Sequence, residues 1–326
     1  MHYFVTGATG LLGLALIKEL IKENRGPITA FVMENDKYAF LLPSSIEIKT
    51  GNILNKQTLE DSIQEGDVVI HLAAFISISG DKAAMKKVNY DGTRNVVDVS
   101  VEKKVAKFIY ISTSHVLPAF AGKKIVESDY GKEGSHPIGY YESTKKMAAD
   151  YVFEKAKEGL NATILYPSGI LSDDDPREGE ISTLLFKLKT GKLTYIVRGG
   201  YAFVNALDVA RGIIAAIDKG KKGEGYTLSG GYLSIEDIDN VVVKHDPRVK
   251  KARLIPTWSA YLGLPFIAIH ERLSHKKPLY TFVSLRTIKA PADFDTSKAS
   301  KELGISFTPL EDTIENILKT MDGEKF

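Results

Sequence analysis

The chain contains no cysteine. Disulfides, thiolate nucleophiles and cysteine-type zinc sites are excluded outright, and the composition fits a reducing, cytoplasmic setting. A dominant charge sign is missing too: 43 Lys and Arg face 41 Asp and Glu, a formal net charge of +2. The lysine pairs at 103–104, 123–124 and 276–277 are too short to track a phosphate backbone, so nucleic acid is not expected as a partner. Long apolar runs are absent. The most apolar later stretch, IPTWSAYLGLPFIAI (255–269), is short and carries two prolines, so no membrane span is expected. The opening MHYFVTGATG has no charged leader and is not read as a signal peptide. No low-complexity linker divides the chain. Its 326 residues, 44% hydrophobic and 26% charged, suit a soluble globular protein of one large or two smaller domains.

What is present is alternation. HYFVTG (2–7), ITAFVM (28–33), IEIK (46–49), DVVIHLAA (67–74), AKFIYIS (106–112) and ATILY (162–166) read as short buried strands. Between them lie amphipathic helical segments at 11–24, 58–64, roughly 82–104 and from about Gly139. Strands alternating with helices predict an α/β fold, a doubly wound parallel sheet covered on both faces. After Tyr166 the pattern changes. PSGILSDDDPREGE (167–180) is polar and turn-rich, FVNALDVARGIIAAIDKG (203–220) reads as a strand edge feeding a helix, and GEGYTLSGG (223–231) as a last strand. The expected plan is a dinucleotide-binding domain over 1–166, completed by 203–231. Segments 167–202 and 232–326 would form a smaller, mostly helical substrate lobe, with the site in the cleft between.

TGATGLLG (6–13) joins the first strand to the first helix. Gly7 permits an unusual turn, Gly10 lets the backbone approach a pyrophosphate, and Gly13 lets the helix pack against the sheet. The helix start offers N–H groups and partial positive charge to phosphates. The second strand runs into Met33-Glu34-Asn35-Asp36-Lys37. An acid there bonds a ribose 2′-hydroxyl and repels a 2′-phosphate. Glu34 is the expected acid, which leans the choice between NAD and NADP toward NAD; Lys37 leaves NADP open.

The fifth strand ends in Ser112-Thr113-Ser114, at the carboxyl edge where parallel sheets bind ligands. The following helix carries two Tyr/Lys pairs, Tyr141/Lys145 and Tyr151/Lys155. Four residues advance a helix about 6 Å and overshoot a full turn by about 40°, so Tyr141 and Lys145 share a face near its start. Tyr151 lies about 15 Å further along and cannot serve the same ligand end. A tyrosine near pKa 10 is a poor base; an adjacent ammonium and a positive nicotinamide ring are expected to lower it toward the working range. His71 is expected as a packed strand residue, and His115 as a hydrogen-bonded loop histidine. Asp173-Asp174-Asp175 is expected as a solvated acidic turn, and no metal site is expected.

TGATGLLG, GNIL (51–54), DVVIHLAA, VNYDGTRNV (88–96), IYISTSHVL (109–117), YESTK (141–145), YPSGIL (166–171) and FVNALDVARG (203–212) follow in order over residues 1–231. In this the chain resembles the extended branch of the short-chain dehydrogenase/reductase superfamily, the NAD-dependent epimerase/dehydratase family, most of all its dihydroflavonol reductase-like proteins. The resemblance implies Tyr141 as acid–base residue, Lys145 as its partner, Thr113 as the catalytic hydroxyl with Ser114 as rival, and Asn89 in the polar network. It further implies cofactor contacts at Gly7, Thr9, Gly10, Leu11, Leu12, Gly13, Glu34, Asn52, Ile53, Leu72, Ala73 and Ala74, then at Tyr141, Lys145, Pro167 and Ser168. Asn52 stands where the family usually has aspartate.

Relatives that dehydrate sugars usually carry Asp-Glu after the catalytic threonine; Ser114-His115 stand here, which argues against dehydration. Nucleotide-sugar enzymes often clamp a diphosphate with an arginine; Tyr201 stands near that place and Arg198 just upstream. TWSAYLGLPF (257–266) is expected in the lobe core, and any part lining the cleft would imply a less polar substrate. The leading expectation is an NAD(P)-dependent oxidoreductase acting on a small ketone or aldehyde, or the corresponding alcohol. The alternatives are a sugar or nucleotide-sugar epimerase with tightly held NAD, and a non-catalytic NAD(P)-binding regulator. The resemblance also implies that two chains can pair as a homodimer.

Overall fold

The computed structural model describes residues 1–76, 81–133, 139–176, 179–261, 285, 287–290 and 292–323. Strands β1 (Tyr3–Thr6), β2 (Ile28–Val32), β3 (Glu47–Thr50), β4 (Val68–His71), β5 (Lys107–Ile111) and β6 (Ala162–Pro167) alternate with α1 (Leu11–Lys22), α2 (Lys56–Glu60), α3 (Lys82–Lys86), α4 (Thr93–Glu102) and α5 (Tyr140–Glu158). β7 (Gly169–Leu171), α6 (Glu180–Lys189), β8 (Tyr195–Val197), β9 (Gly200–Asn205), α7 (Ala206–Lys219) and β10 (Glu224–Leu228) follow. The described chain continues through β11 (Gly231–Ser234), α8 (Ile235–His245), β12 (Arg253–Ile255) and a helix labelled α9 (Leu310–Gly323).

The large sheet has seven strands in the order β3-β2-β1-β4-β5-β6-β10, all parallel. Strands β1, β2, β4, β5 and β6 are buried along their whole length, because both faces are covered. On one face Leu16 and Ile17 of α1 meet Val209 and Ile213 of α7; on the other Val96 of α4 and Val152 of α5 pack over Phe108. Ala148 and Ala149 of α5 are fully buried, and their small side chains let α5 lie close against the sheet. The winding direction reverses between β1 and β4, the switch point at which ligands bind.

The long helix expected over 82–104 is interrupted. Asp81 caps α3 through the N–H groups of Ala83 and Ala84, and residues Lys87–Gly92 form a π-helical turn before α4 resumes. At Gly92 a Cβ would meet Ile53 Cδ1 at 2.7 Å, so glycine lets the wide turn pack. A further difference concerns 203–231. Phe203-Val204-Asn205 belong to β9 in a separate three-stranded sheet, β11-β9-β7, while α7 and β10 return to the large sheet. Ala299, Leu303 and Ile305 also pack into the core beneath α1 and α7. A third core, containing Leu185, Val197, Ile238 and Leu318, holds the lobe together. Trp258, expected in that core, is 66% exposed, because Thr257, Ala260 and Tyr261 are the residues of its turn that face inward. The remainder of that motif, 262–266, lies outside the described residues. Among the described residues no helix is long and apolar enough to cross a membrane.

Phe108 sits at zero exposure between α4, α5 and β4. Phe108→Ala should lower the unfolding free energy by about 3–5 kcal/mol, read from urea titration; a loss below about 1 kcal/mol would contradict this packing.

Candidate functional site

The glycine turn leaves β1 with Gly7 at φ +72°, where a Cβ would strike the Ala73 amide nitrogen at 2.7 Å. A Cβ at Gly13 would run into the Gly7 and Ala8 carbonyl oxygens. Both positions therefore demand glycine. Gly10 caps α1 without any side-chain hydrogen bond, so among the described residues the leading N–H groups of the helix have no side-chain cap.

A cavity of about 840 Å³ opens at this turn and runs along the carboxyl edge of the sheet into the lobe. Its first part is walled by Gly7, Gly10, Gly13, Leu11 and Leu12, with Leu72 and Ala74 beyond β4. Its middle contains Ser112, Thr113, Tyr141, Lys145, Pro167 and Ser168. Among the described residues, the buried hydroxyls of Ser112 and Ser168 have no hydrogen-bond partner. Open helix N–H groups, a side-chain-free turn and unsatisfied hydroxyls along one trough fit a bound dinucleotide.

Thr113 and Ser114 separate here. Thr113 faces the cavity, and its Oγ1 accepts from the His115 N–H at 3.4 Å. Ser114 is at zero exposure and does not line the cavity. Asn89 lies behind the wall. Its Oδ1 accepts from the Phe75 N–H at 2.7 Å, and its Nδ2 donates to the Phe75 carbonyl at 3.0 Å and to Thr144 at 3.1 Å. Thr144 in turn donates to the Tyr141 carbonyl at 2.7 Å. Asn89 thus fixes the segment after β4 and the first turn of α5 to one another.

Lys145 is 2% exposed. Its Nζ donates to the Ile111 carbonyl at 2.6 Å and lies 4.3 Å from the centre of the Tyr110 ring. Burial pushes its pKa down to about 7. The expectation that this ammonium lowers the Tyr141 pKa does not hold for the protein alone. Burial pushes the Tyr141 phenol up, the Glu142 charge adds to the shift, and Lys145 has lost much of the charge that would oppose it. Glu142 is buried at the cavity wall, 3.6 Å from His115 Nδ1. Its own burial opposes ionisation, but His115 and backbone hydrogen bonds hold its carboxyl below the usual value.

His71, read from sequence as packing, does more. It is 1% exposed, with Nδ1 2.7 Å from Thr6 Oγ1 and Nε2 2.9 Å from Thr93 Oγ1. Thr93 donates to the Asn89 carbonyl, so its oxygen receives the Nε2 proton and Thr6 donates to Nδ1. Burial, aided by Lys145, pushes His71 down to about 3 and keeps it neutral. One imidazole therefore links the glycine turn to the π-turn that carries Asn89.

Several expected cofactor positions lie outside the cavity. Ala73 and Thr9 stand behind the glycine turn: Ala73 N–H donates to Thr6 Oγ1 at 3.4 Å, and Thr9 donates to Asp36 Oδ2 at 2.6 Å. Asn52 is exposed and uses its Oδ1 on the Leu54 N–H, while Ile53 is buried in the core. Glu34 is exposed on the loop after β2. Asn35, at φ +62°, turns the chain back so that Asp36, not Glu34, is the carboxylate held toward the glycine turn. The positive φ at an asparagine is the local signal that sequence spacing passed over.

The remaining candidates disperse. Tyr151 donates to Asp98 and Lys155 to Glu158, away from the cavity. Asp174 pairs with Lys18, and Asp175 accepts from the Gly179 N–H and the Ser182 hydroxyl, so the acidic triplet does not converge. Arg198 is exposed and does not line the cavity, whereas Tyr201 does.

Known proteins share this chain's sequence pattern and fold. Sterol demethylase protein B of Methylococcus capsulatus is 26% identical over 316 residues, covering 94% of this chain and 93% of that protein. A putative dihydroflavonol 4-reductase of Synechocystis sp. is 24% identical over 311 residues, covering 93% and 89%. The crystal structure of UDP-glucose 4-epimerase from Thermotoga maritima with UDP-glucose shares the fold, with a TM-score of 0.80 over 99% of both chains at 20% identity. A model of the NAD dependent epimerase/dehydratase family matches residues 3–229, and the chain belongs to that family.

Proposed function

We propose that this protein is an NAD(P)-dependent oxidoreductase that reduces a ketone or aldehyde on an apolar body, or oxidises the corresponding alcohol. The carrying observation is that Thr113, Tyr141 and Lys145 converge on the same cavity that opens at the glycine turn. A bound nicotinamide dinucleotide supplies or accepts the hydride. The turn and the start of α1 would hold its pyrophosphate, Lys145 its ribose, and Pro167 and Ser168 its nicotinamide end. The acidic loop after β2, with Asp36 drawn toward the turn, favours NAD over NADP.

Thr113 orients the substrate oxygen. Tyr141 exchanges the proton on that oxygen, and its raised pKa makes it a proton donor at neutral pH, the role that carbonyl reduction requires. Glu142 and His115 pair with each other at the wall. The outer half of the cavity is apolar, lined by Ile181, Leu184, Phe203, Ile235 and Ile288. No arginine lines it among the described residues, which disfavours a nucleotide diphosphate and hence the epimerase reading.

Tyr141→Phe should retain dinucleotide binding, measured by fluorescence titration, while NAD(P)H consumption with a carbonyl panel falls by about 10²–10⁴-fold. Unchanged turnover would remove Tyr141 from the chemistry.

Lys145 makes a separate, pH-dependent contribution to the ligand-free protein. Its folded pKa of about 7 lies below its ordinary value of 10.5, so between those limits only the unfolded chain keeps the proton. The cost of burying the charge is full below pH 7 and is relieved as pH rises. Relative to Lys145→Met, the wild type should gain roughly 3 kcal/mol of stability between pH 6.5 and 9.5. Parallel urea titrations read this difference; a constant gap across that range would mean the ammonium is not desolvated.

A further inference from the structure

The rim of the cavity carries a charge that the proposed chemistry does not use. Lys82 is the first residue of α3 and lines the cavity, with Nζ 5.8 Å from the centre of the Tyr140 ring. A cation is disfavoured at a helix start, where the backbone dipoles are already positive. The neighbouring carboxylate of Asp81 is occupied by the N–H groups of Ala83 and Ala84. Lys82 forms no ion pair among the described residues. Elsewhere in the described lining, Glu142 is matched by His115 and Lys145 is bonded to Ile111. Among the described residues, Lys82 is thus the exposed ammonium of the lining that has neither a carboxylate nor a backbone carbonyl bound to it, whereas Lys145 is buried on the Ile111 carbonyl. Met85, one turn further along the same helix, lines the apolar part of the cavity.

We propose that the substrate is an apolar oxo acid: its carbonyl lies at Tyr141, its hydrocarbon body among Met85, Ile181, Leu184 and Phe203, and its carboxylate pairs with Lys82. This rests on the reductase reading above. Beside apolar walls a carboxylate and an ammonium are screened less than in open water, so the pair discriminates between an acid and its neutral ester. Lys82 is exposed at the rim and supports no core contact, so its replacement leaves the fold intact.

The test uses the full chain with NAD or NADP present and 7-oxododecanoate beside its methyl ester as probes. Dissociation constants come from isothermal titration calorimetry, and turnover from NAD(P)H absorbance. The wild type should bind the acid more tightly than the ester. Lys82→Gln should weaken acid binding by about three- to fivefold and leave ester binding within about 1.5-fold. Raising ionic strength should erode the acid preference in the wild type alone. Equal binding of acid and ester, equal losses in the variant, or no binding of either probe would overturn the inference. Selective, Lys82-dependent binding of the acid without any turnover would instead uphold the anchor and overturn the reductase reading.

Discussion

One buried ammonium ties the chemistry to the sheet. Lys145 reaches from the second turn of α5 to the carbonyl of Ile111, the last residue of β5. A desolvated amine is pushed toward its neutral form, and here a backbone carbonyl and the face of Tyr110 hold it in place. Because that carbonyl ends a central strand, the bond fixes the start of α5 against the carboxyl edge of the sheet. Tyr141, one turn before Lys145, and Thr113, two residues beyond Ile111, inherit their mutual placement from it. The neutral His71 linkage does the same for the other side, fastening β1 and the π-turn together.

The features legible in the sequence are those that local geometry enforces. The parallel sheet announces itself because strands covered on both faces must be apolar without interruption. The glycine turn is legible because Gly7 and Gly13 occupy positions where a side chain has no room. Tyr141 could be preferred to Tyr151 by distance along a helix alone, and the structure puts Tyr151 on Asp98, away from the cavity. Protonation was not legible: spacing places an ammonium near a phenol, but only burial reveals that both are pushed toward their neutral forms. The choice between Glu34 and Asp36 was hidden as well, since it turns on the backbone of Asn35.

The two halves of the cavity differ in how they are encoded. The inner half is drawn from strand ends and the turns after them, so its residues recur at predictable places in the alternation. The outer half collects Ile181 from α6, Phe203 from β9, Ile235 from α8 and Ile288 from a later segment. These positions are separated by tens of residues and share no motif. Each reads in isolation as ordinary lobe core, and most of the lobe does pack as one. Their common outlook on a ligand exists only after folding, which is why chemistry can be read earlier than substrate.

The π-helical turn at Lys87–Gly92 inserts one residue more than regular winding accommodates. α4, seated against the sheet by Val96 and Val97, is indifferent to that surplus. The segment upstream is not: with a single residue excised and regular winding restored, Lys82 and Met85 would swing by about 100° around the helix axis. Chain length at this spot, together with the room that Gly92 leaves for Ile53, decides which way the mouth of the trough is decorated. Asn89 sits in the same turn and holds Thr144, which holds the Tyr141 carbonyl, so a one-codon deletion there would re-aim the rim groups and loosen the first turn of α5 together.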